Sequence, residues 1–224
     1  MRWVVFSWGL LELLSCRREI PLPRPEEGSS LFPLQTGYTW VYEVRETTYT
    51  TSGPVPARYF LRMRIDTPTT DAYRRPCFYV LWDTCSLSDS GNWGFYRAGL
   101  AYRDTSQAEL WENNKRLLML RFPISPALQW NRYEYTNLPP ENCRYLVLDT
   151  TYTIEAKTFP HSAFVLRRCD TLSLLRRAFF YEVYCRGVGL VHLKERLDAF
   201  DLGADGSITR NTDTYYREYL LRSP

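Results

Sequence analysis

The sequence predicts a mainly β protein, built on a single antiparallel, strongly curved sheet that forms a half-barrel or sandwich of about ten strands. Apolar and polar residues alternate with a period of two over most of the chain, as in strands with one buried face. β-branched and aromatic residues are dense, and aromatic residues make up 16% of the 224 residues. Clusters of Gly, Pro, Asn and Asp separate the alternating segments, which is typical of turns.

The first two strands show the alternation most clearly. In segment 37–50, Tyr38, Trp40, Tyr42 and Val44 fall on one face, which we expect to be buried, and charged residues fall on the other. Segment 58–66 repeats the pattern, with aromatic and aliphatic residues facing the core. The intervening sequence Ser-Gly-Pro-Val-Pro is typical of a turn.

Further strands are expected at short intervals, with little helix among them. Outside the N-terminal segment, only 171–177 has helical character, and it is too short to carry a fold. The further strand segments are 77–84, 94–103, 108–112, 116–122, 145–156, 162–168, 179–186, 190–197 and 214–221.

Residues 1–15 have the features of a signal peptide for export. An arginine precedes an apolar run that is too short to span a membrane as a helix of about 20 residues. The run ends in Leu-Leu-Ser-Cys, which resembles the lipobox of bacterial lipoproteins, so we expect acyl chains such as palmitate on Cys16. Leu14 and Glu12 depart from the usual lipobox pattern. The alternative is a buried N-terminal helix with an ordinary cysteine.

The residues that follow predict a membrane tether. Segment 16–34 is rich in Pro and charged residues, a composition that favours a flexible, extended chain. We therefore expect three parts: a signal peptide (1–15), a Pro-rich tether (16–34) and an antiparallel β domain (35–224). The expected location is the bacterial cell envelope, with the acylated Cys16 in the outer membrane.

The charge balance argues against a nucleic-acid partner. The chain has 28 Lys and Arg against 25 Asp and Glu, a formal net charge of +3. Its cations form no run longer than a pair, so they would not steer a polyanion to the surface. We expect no nucleic-acid binding.

Several short motifs occur along the β domain. They are FPL-x-x-G-x-x-W-x-Y-E from Phe32, Leu118-x-Leu120-x-Phe122-Pro123 followed by Trp130, Lys157-Thr158-Phe159, and GVGLV from Gly187. Together these motifs resemble the uncharacterised small lipoproteins common in Bacteroidota. The resemblance covers most of residues 31–222, and it implies an exported, membrane-anchored, mainly β domain with no assigned reaction.

Catalytic chemistry has little support in the sequence. A Ser or Cys nucleophile usually needs a histidine base, and the two histidines, His161 and His192, are expected at the surface. The G-x-S-x-G elbow, the H-E-x-x-H motif and cysteine pairs at zinc spacing are all lacking. We therefore predict that the protein is not an enzyme, with no catalytic residues and no cofactor.

Paired carboxylates could still support glycoside hydrolysis, because two positioned carboxyl groups suffice for that reaction. The candidate pairs are Glu109 with Glu112, and Glu182 with Glu195. Nothing local distinguishes them, and Glu109, Glu112 and Glu182 are expected on the solvent-facing side of strands.

Two loops resemble ligand-binding motifs in part. Segment 201–212 matches a calcium loop in part, but Gly203 and Thr212 occupy ligand positions, so we interpret Asp205-Gly206 as a turn. Gly187 and Gly189 lack the third glycine of a phosphate loop and are expected at a tight bend or bulge. No metal is predicted.

The cysteines and aromatic residues leave questions open. Beyond Cys16, five cysteines remain, an odd number for a disulfide framework, and Cys77 and Cys85 share one predicted strand. Trp93 lies in a glycine-flanked loop, where we expect it to be exposed.

The leading hypothesis is a lipid-anchored envelope protein with a non-catalytic binding or structural role. The alternatives are a half-barrel carrier of an apolar ligand and a glycan-binding or glycan-active protein.

Overall fold

The computed structural model of this chain describes residues 28–89, 91–170 and 173–223. It confirms the mainly β fold: thirteen antiparallel strands form one sheet that curls into a nearly closed barrel, a few more strands than expected. The strands are β1 (Thr39–Thr50), β2 (Gly53–Thr70), β3 (Pro76–Ser86), β4 (Gly94–Arg103), β5 (Gln107–Glu112), β6 (Lys115–Arg121), β7 (Gln129–Asn131), β8 (Asn142–Ile154), β9 (Lys157–Asp170), β10 (Arg176–Cys185), β11 (Gly189–Leu202), β12 (Ile208–Arg210) and β13 (Tyr215–Ser223).

Neighbours in sequence are mostly neighbours in the sheet. The order is β6-β5-β4-β3-β2-β1-β13-β11-β10-β9-β8-β7, with β12 added beside β11. The two outermost strands of this order come together, because the backbone N–H of Leu118 in β6 donates to the carbonyl of Arg132, just after β7, at 2.9 Å. The indole N–H of Trp130 donates to the carbonyl of Leu118 at 3.1 Å. These contacts bring the two edges of the sheet together.

The alternation of residues along the strands decides what faces the interior. Trp40, Tyr42 and Val44 of β1 are 3%, 2% and 0% exposed, as their spacing predicted, whereas Tyr38 precedes the strand and is 37% exposed. Leu61 and Ile65 of β2 are each 2% exposed. The barrel therefore has an inner face of large aromatic and aliphatic side chains, which the hydrophobic effect holds together.

One end of the barrel is closed by residues 28–34, which lie inside the predicted tether. Leu31 is 1% exposed. The guanidinium of Arg103 donates to the carbonyls of Ser29 and Phe32 at 3.0 and 2.8 Å. Residues 28–34, which the sequence assigns to the tether, therefore pack on the barrel. We call residues 28–34 the plug.

The predicted signal peptide, Cys16 and the tether up to residue 27 lie outside the described residues. Within the described part of the chain, no helix is both long enough and apolar enough to cross a membrane.

Two elements differ from the sequence prediction. The helix expected over 171–177 is wrong for its described part, because residues 173–175 form a loop and β10 begins at Arg176. There Arg176 pairs with Ala199 of β11, so sheet pairing overrides local preference. The three-residue strands β7 and β12 were not predicted, since so short a segment shows no periodicity.

Candidate functional site

The lumen of the barrel contains a cavity of about 320 Å³, lined by inward-facing side chains from strands all around the sheet. It opens at the end of the barrel opposite the plug. Along β4, Arg97 lines the cavity near the start of the strand, whereas Arg103 holds the plug at its end. We call this opening the mouth.

One wall of the cavity is apolar. It comes mainly from β2, β3, β5 and β6. The alternation along β2 predicted its share of this wall, whereas no face was assigned to the residues of β5 and β6, and β6 has four consecutive buried residues. The apolar side chains of this wall are Leu61, Met63, Trp82, Leu110, Leu117 and Met119.

The opposite wall carries a buried network of charges, whose centre is Glu182 on β10. Glu182 is 0% exposed and lies 3.0 Å from Arg132 and 3.2 Å from Arg167. The hydroxyl of Tyr184 donates to it at 2.7 Å. Arg167 also pairs with Glu141 at 2.8 Å. Each charge therefore has an opposite charge close by, which offsets its burial.

The network also extends toward the mouth. Arg167 pairs with Glu195 on β11 at 2.5 Å. Glu195 in turn lies 3.8 Å from Arg217 on β13. Five strands or loops thus contribute to a continuous chain of ion pairs along one wall of the lumen.

Opposite charges in this network keep one another ionised in spite of their burial. Burial alone would raise the pKa of Glu182, but the charges of Arg132 and Arg167 and the hydrogen bond from Tyr184 outweigh it and lower the pKa. Burial likewise opposes ionisation of Arg132 and Arg167, but the neighbouring carboxylates raise the pKa of both guanidinium groups. Glu182, Arg132 and Arg167 therefore remain ionised at neutral pH.

The mouth is lined by charged side chains that retain exposure. Arg97 pairs with Glu112 at 3.0 Å and lies 4.9 Å from the centroid of the Trp82 ring. Lys115 is exposed, and Arg217 is partly exposed. The Nε–H of Arg97 is buried and has no hydrogen-bond acceptor among residues 28–89, 91–170 and 173–223.

A second, smaller cavity lies between the first cavity and the plug. Its volume is about 50 Å³, and Met63, Leu110, Met119 and Leu190 line both cavities. Nearer the plug, the lining includes Phe32 and other apolar residues. The lumen therefore changes from charged at the mouth to apolar at the plug.

The carboxylates did not lie where the sequence predicted. Glu109 and Glu182 were expected on solvent-facing sides, and both are wholly buried. Glu109 lies between Arg116 at 2.7 Å and Arg75 at 3.1 Å, away from the lumen cavity. Burial would raise the pKa of Glu109, but the two arginines lower it. Both carboxylates can be buried because arginines from other strands or loops pair with them, and the local sequence pattern does not show these partners.

Only some of the candidate carboxylates meet at one site. Glu112 is partly buried at the mouth, and Glu182 and Glu195 share Arg167 deeper in the lumen. Glu109 lies apart from them. The predicted pair Glu109 and Glu112 therefore does not face one cavity, whereas the pair Glu182 and Glu195 does.

The two histidines differ in environment. His161 is exposed, as predicted, and lies 2.7 Å from Asp149. His192 was expected on a solvent-facing side, but it is 2% exposed. The Tyr152 hydroxyl lies 2.5 Å from its Nδ1, and Glu218 lies 3.1 Å from its Nε2. His192 is buried because the β8–β9 hairpin places Tyr152 over its side chain.

The glycine and cysteine predictions are also resolved. Gly187 and Gly189 have φ angles of 71° and 94°, and they form the tight bend between β10 and β11. Asp205-Gly206 lies in the turn between β11 and β12, and no group of metal-binding side chains is found in the described part of the chain. The five cysteines there are thiols, of which only Cys169 is exposed.

The aromatic residues mostly fill the core. Trp40, Trp82 and Trp130 are buried. Trp93, expected to be exposed, is half-buried because Arg62 lies over its ring at 4.3 Å.

The arginines of the lumen were not predicted, although the sequence contains a signal for them. Phe180, Glu182 and Tyr184 share one face of β10, so a charged residue stands in the middle of an apolar face. The same holds for Arg167, which follows Ala163 and Val165 along β9. A charge at a core position indicates a buried ion pair or a functional site.

No family model matches this chain, and no curated protein shows significant similarity to it. Two solved structures are similar to it at low sequence identity. One, from Bacteroides fragilis, is described as an inferred exported protein with a YMCC-like fold. It is 10% identical, with a TM-score of 0.43, over 86% of this chain and 98% of that chain. The other, from Parabacteroides distasonis, is described as an inferred lipoprotein. It is 12% identical, with a TM-score of 0.39, over 86% of this chain and 97% of that chain.

Proposed function

We propose that this chain is an exported, lipid-anchored protein of a bacterial cell envelope that binds a small ligand in the lumen of its barrel and catalyses no reaction. The observation that carries the proposal is the lumen cavity of about 320 Å³. Small-molecule sites have volumes of about 300–1,000 Å³ and combine apolar walls with a few placed polar groups. This cavity has both properties.

The anchor is supported by the sequence around Cys16. The apolar run, the Leu-Leu-Ser-Cys sequence and the Pro-rich segment after it occur in the order of a lipoprotein N-terminus. Acyl chains on one cysteine contribute about 0.8 kcal/mol for each buried methylene. The chain enters the described fold at the plug, so at most about 40 Å of extended chain separates Cys16 from that end. The mouth at the opposite end would face away from the membrane.

The proposal of a non-catalytic role rests on the state of the ionisable groups. The lowered pKa of Glu182 makes it a poor proton donor at neutral pH, whereas a glycosidase needs one carboxyl group that is protonated. His192 lies outside the lumen, and both of its ring nitrogens have polar partners. Neither group is available as an acid or a base for a ligand in the cavity.

The earlier alternatives have less support. The small apolar cavity of about 50 Å³ holds little more than one or two water-sized groups, too few for the whole of a long acyl chain. A glycan platform needs exposed aromatic faces, and Tyr73 and Phe95 are 71% and 70% exposed, but neither lines the lumen cavity. Trp93 is covered by Arg62, which lies 4.3 Å from the centroid of its ring. A small amphipathic molecule fits the lumen better than either ligand.

The anchor is tested by replacing the cysteine. The full-length protein with Cys16→Ser should move from the membrane fraction to the soluble fraction, and its mass should lack the acyl chains. Unchanged membrane fractionation of this variant would refute the anchor.

The ligand site is tested by native mass spectrometry of the full-length protein purified from envelopes. We expect a retained small molecule, which is lost when Met63→Trp fills the lumen. Val55→Trp is the control, since Val55 lies on the same strand but is 49% exposed. A protein that carries no small molecule, or one that retains it equally in both variants, would contradict the proposal.

A further inference from the structure

We infer that the lumen ligand is a small carboxylate with an apolar tail, whose carboxylate lies at the mouth against Arg97 and Lys115 and whose tail points toward the plug. This inference rests on the proposed function, in which the lumen is the binding site. It assigns the chemical class of the ligand, and four observations support it.

The first observation is the charge distribution along the lumen. The charged lining residues that are not buried are three cations and one carboxylate: Arg97, Lys115, Arg217 and Glu112. The open side of the cavity is therefore cationic. An anionic group reaching the mouth meets a favourable potential there.

The second observation is the unsatisfied state of Arg97. Its Nε–H is buried without an acceptor in the described part of the chain, which is energetically costly for a charged donor. Arg167, in contrast, is paired with three carboxylates. A ligand oxygen beside the Trp82 ring would supply the missing acceptor after a small rotation of the guanidinium. Arginine binds carboxylates well because its planar group presents several parallel donors.

The third observation is that the carboxylates of the lumen are already paired. Glu112 lies on Arg97, and Glu182 and Glu195 lie on Arg167. A cationic ligand would have to displace an arginine from one of them. An anionic ligand needs no such displacement, so the arrangement favours anions over cations.

The fourth observation is the apolar path below the mouth. Met63 and Met119 line both the large cavity and the small apolar cavity at the plug. Methionine side chains are flexible and adapt to irregular apolar ligands. The large cavity of about 320 Å³ accommodates about ten water-sized groups. Octanoate, with about ten non-hydrogen atoms, is therefore a suitable probe.

The test is calorimetric titration of the full-length protein, freed of any retained molecule, with octanoate, octylammonium and 1-octanol. We expect octanoate to bind at least tenfold more tightly than either of the others. Arg97→Gln should weaken octanoate binding about tenfold or more, as expected for one charged hydrogen bond. Arg97→Lys keeps the charge but loses the planar donors, and it should have an intermediate effect.

Arg121→Gln is the matched control. Arg121 pairs with one carboxylate, Glu134, at 2.7 Å and is 32% exposed, while Arg97 pairs with Glu112 at 3.0 Å and is 20% exposed. Arg121 does not line the cavity, so this variant should bind octanoate as the wild type does. Thermal melting of each variant checks that the fold is retained.

The outcomes separate the ligand class from the site itself. If octylammonium or 1-octanol binds as tightly as octanoate, or if Arg97→Gln leaves octanoate binding unchanged, the anionic class is overturned while the lumen site stands. If none of the three probes binds the wild type, or if Met63→Trp does not weaken binding, the lumen site itself fails.

Discussion

Replacing Glu182 by glutamine should destabilise the protein strongly, because it removes one charge from the centre of the buried network and changes its shape very little. Glu182 is fully buried, and it is the closest carboxylate to Arg132, at 3.0 Å against 3.8 Å for Glu141. In Glu182→Gln, Arg132 would remain buried with only this longer pair. Removing one partner of a buried pair costs about 3–5 kcal/mol.

We expect a value near the lower limit, about 3 kcal/mol, because Arg167 keeps Glu141 and Glu195 as partners. For a domain of this size, each kcal/mol lowers Tm by about 2–4 °C, so Tm should fall by about 6–12 °C. Urea unfolding and thermal melting at pH 7 measure both quantities.

Glu155→Gln is the control, since Glu155 is 42% exposed and also pairs with two arginines, Arg45 and Arg222. Exposed pairs contribute about 1 kcal/mol or less, so Tm should change by at most about 4 °C. If Glu182→Gln is no more destabilising than Glu155→Gln, the assignment of the network as a mutually stabilised set of buried charges is refuted.

The destabilisation caused by Glu182→Gln should depend on pH. Folding lowers the pKa of Glu182 below its ordinary value of 4.5, so its contribution to stability is complete above that pH and is lost as the pH falls through the folded-state pKa. The difference in Tm between wild type and Glu182→Gln should therefore be constant from pH 5 upward and shrink at lower pH. A difference that grows on acidification would contradict the lowered pKa.

Two other predictions test the packing of the barrel. Gly99→Ala should cost about 1–3 kcal/mol by urea unfolding, because an added Cβ would overlap the carbonyl oxygen of Trp111. Gly91→Ala, where a Cβ meets nothing within 4 Å, should have little effect, and equal effects of the two would contradict this packing. Iodoacetamide at pH 7.5 should label Cys169, the exposed thiol, and spare Cys143, since burial raises the pKa of Cys143 to about 12. Mass spectrometry of peptides from the labelled native protein measures this, and rapid labelling of Cys143 would show that the core opens.

The strands were largely predictable because their signal is local. The alternation over 94–103 reproduces the bounds of β4 (Gly94–Arg103), and the apolar face of β1 is buried as its spacing predicted. Side chains of a strand point alternately to opposite faces, so a run of about six residues already reports which face is buried. The three residues of the short strand β7 are too few to show this alternation.

The candidate site was less predictable, because it depends on partners that are distant in sequence. Glu182 pairs with Arg132, 50 residues earlier, and the alternating pattern around each residue contains no information about the other. The sequence rule that charged residues face solvent therefore failed at Glu182 and His192, where the fold supplies partners. A charge in the middle of an apolar face was the only local sign.

The sequence by itself determined the longer strands, the buried apolar faces of β1 and β2, most of the turns and the expectation of an acylated Cys16. Only the tertiary structure decided that the sheet closes, that residues 28–34 plug one end, and that the charges of β9, β10 and β11 meet in one lumen. The physical reason is that backbone alternation is a local steric property. Burying a charge, in contrast, requires a specific opposite charge, which sheet closure alone brings within reach.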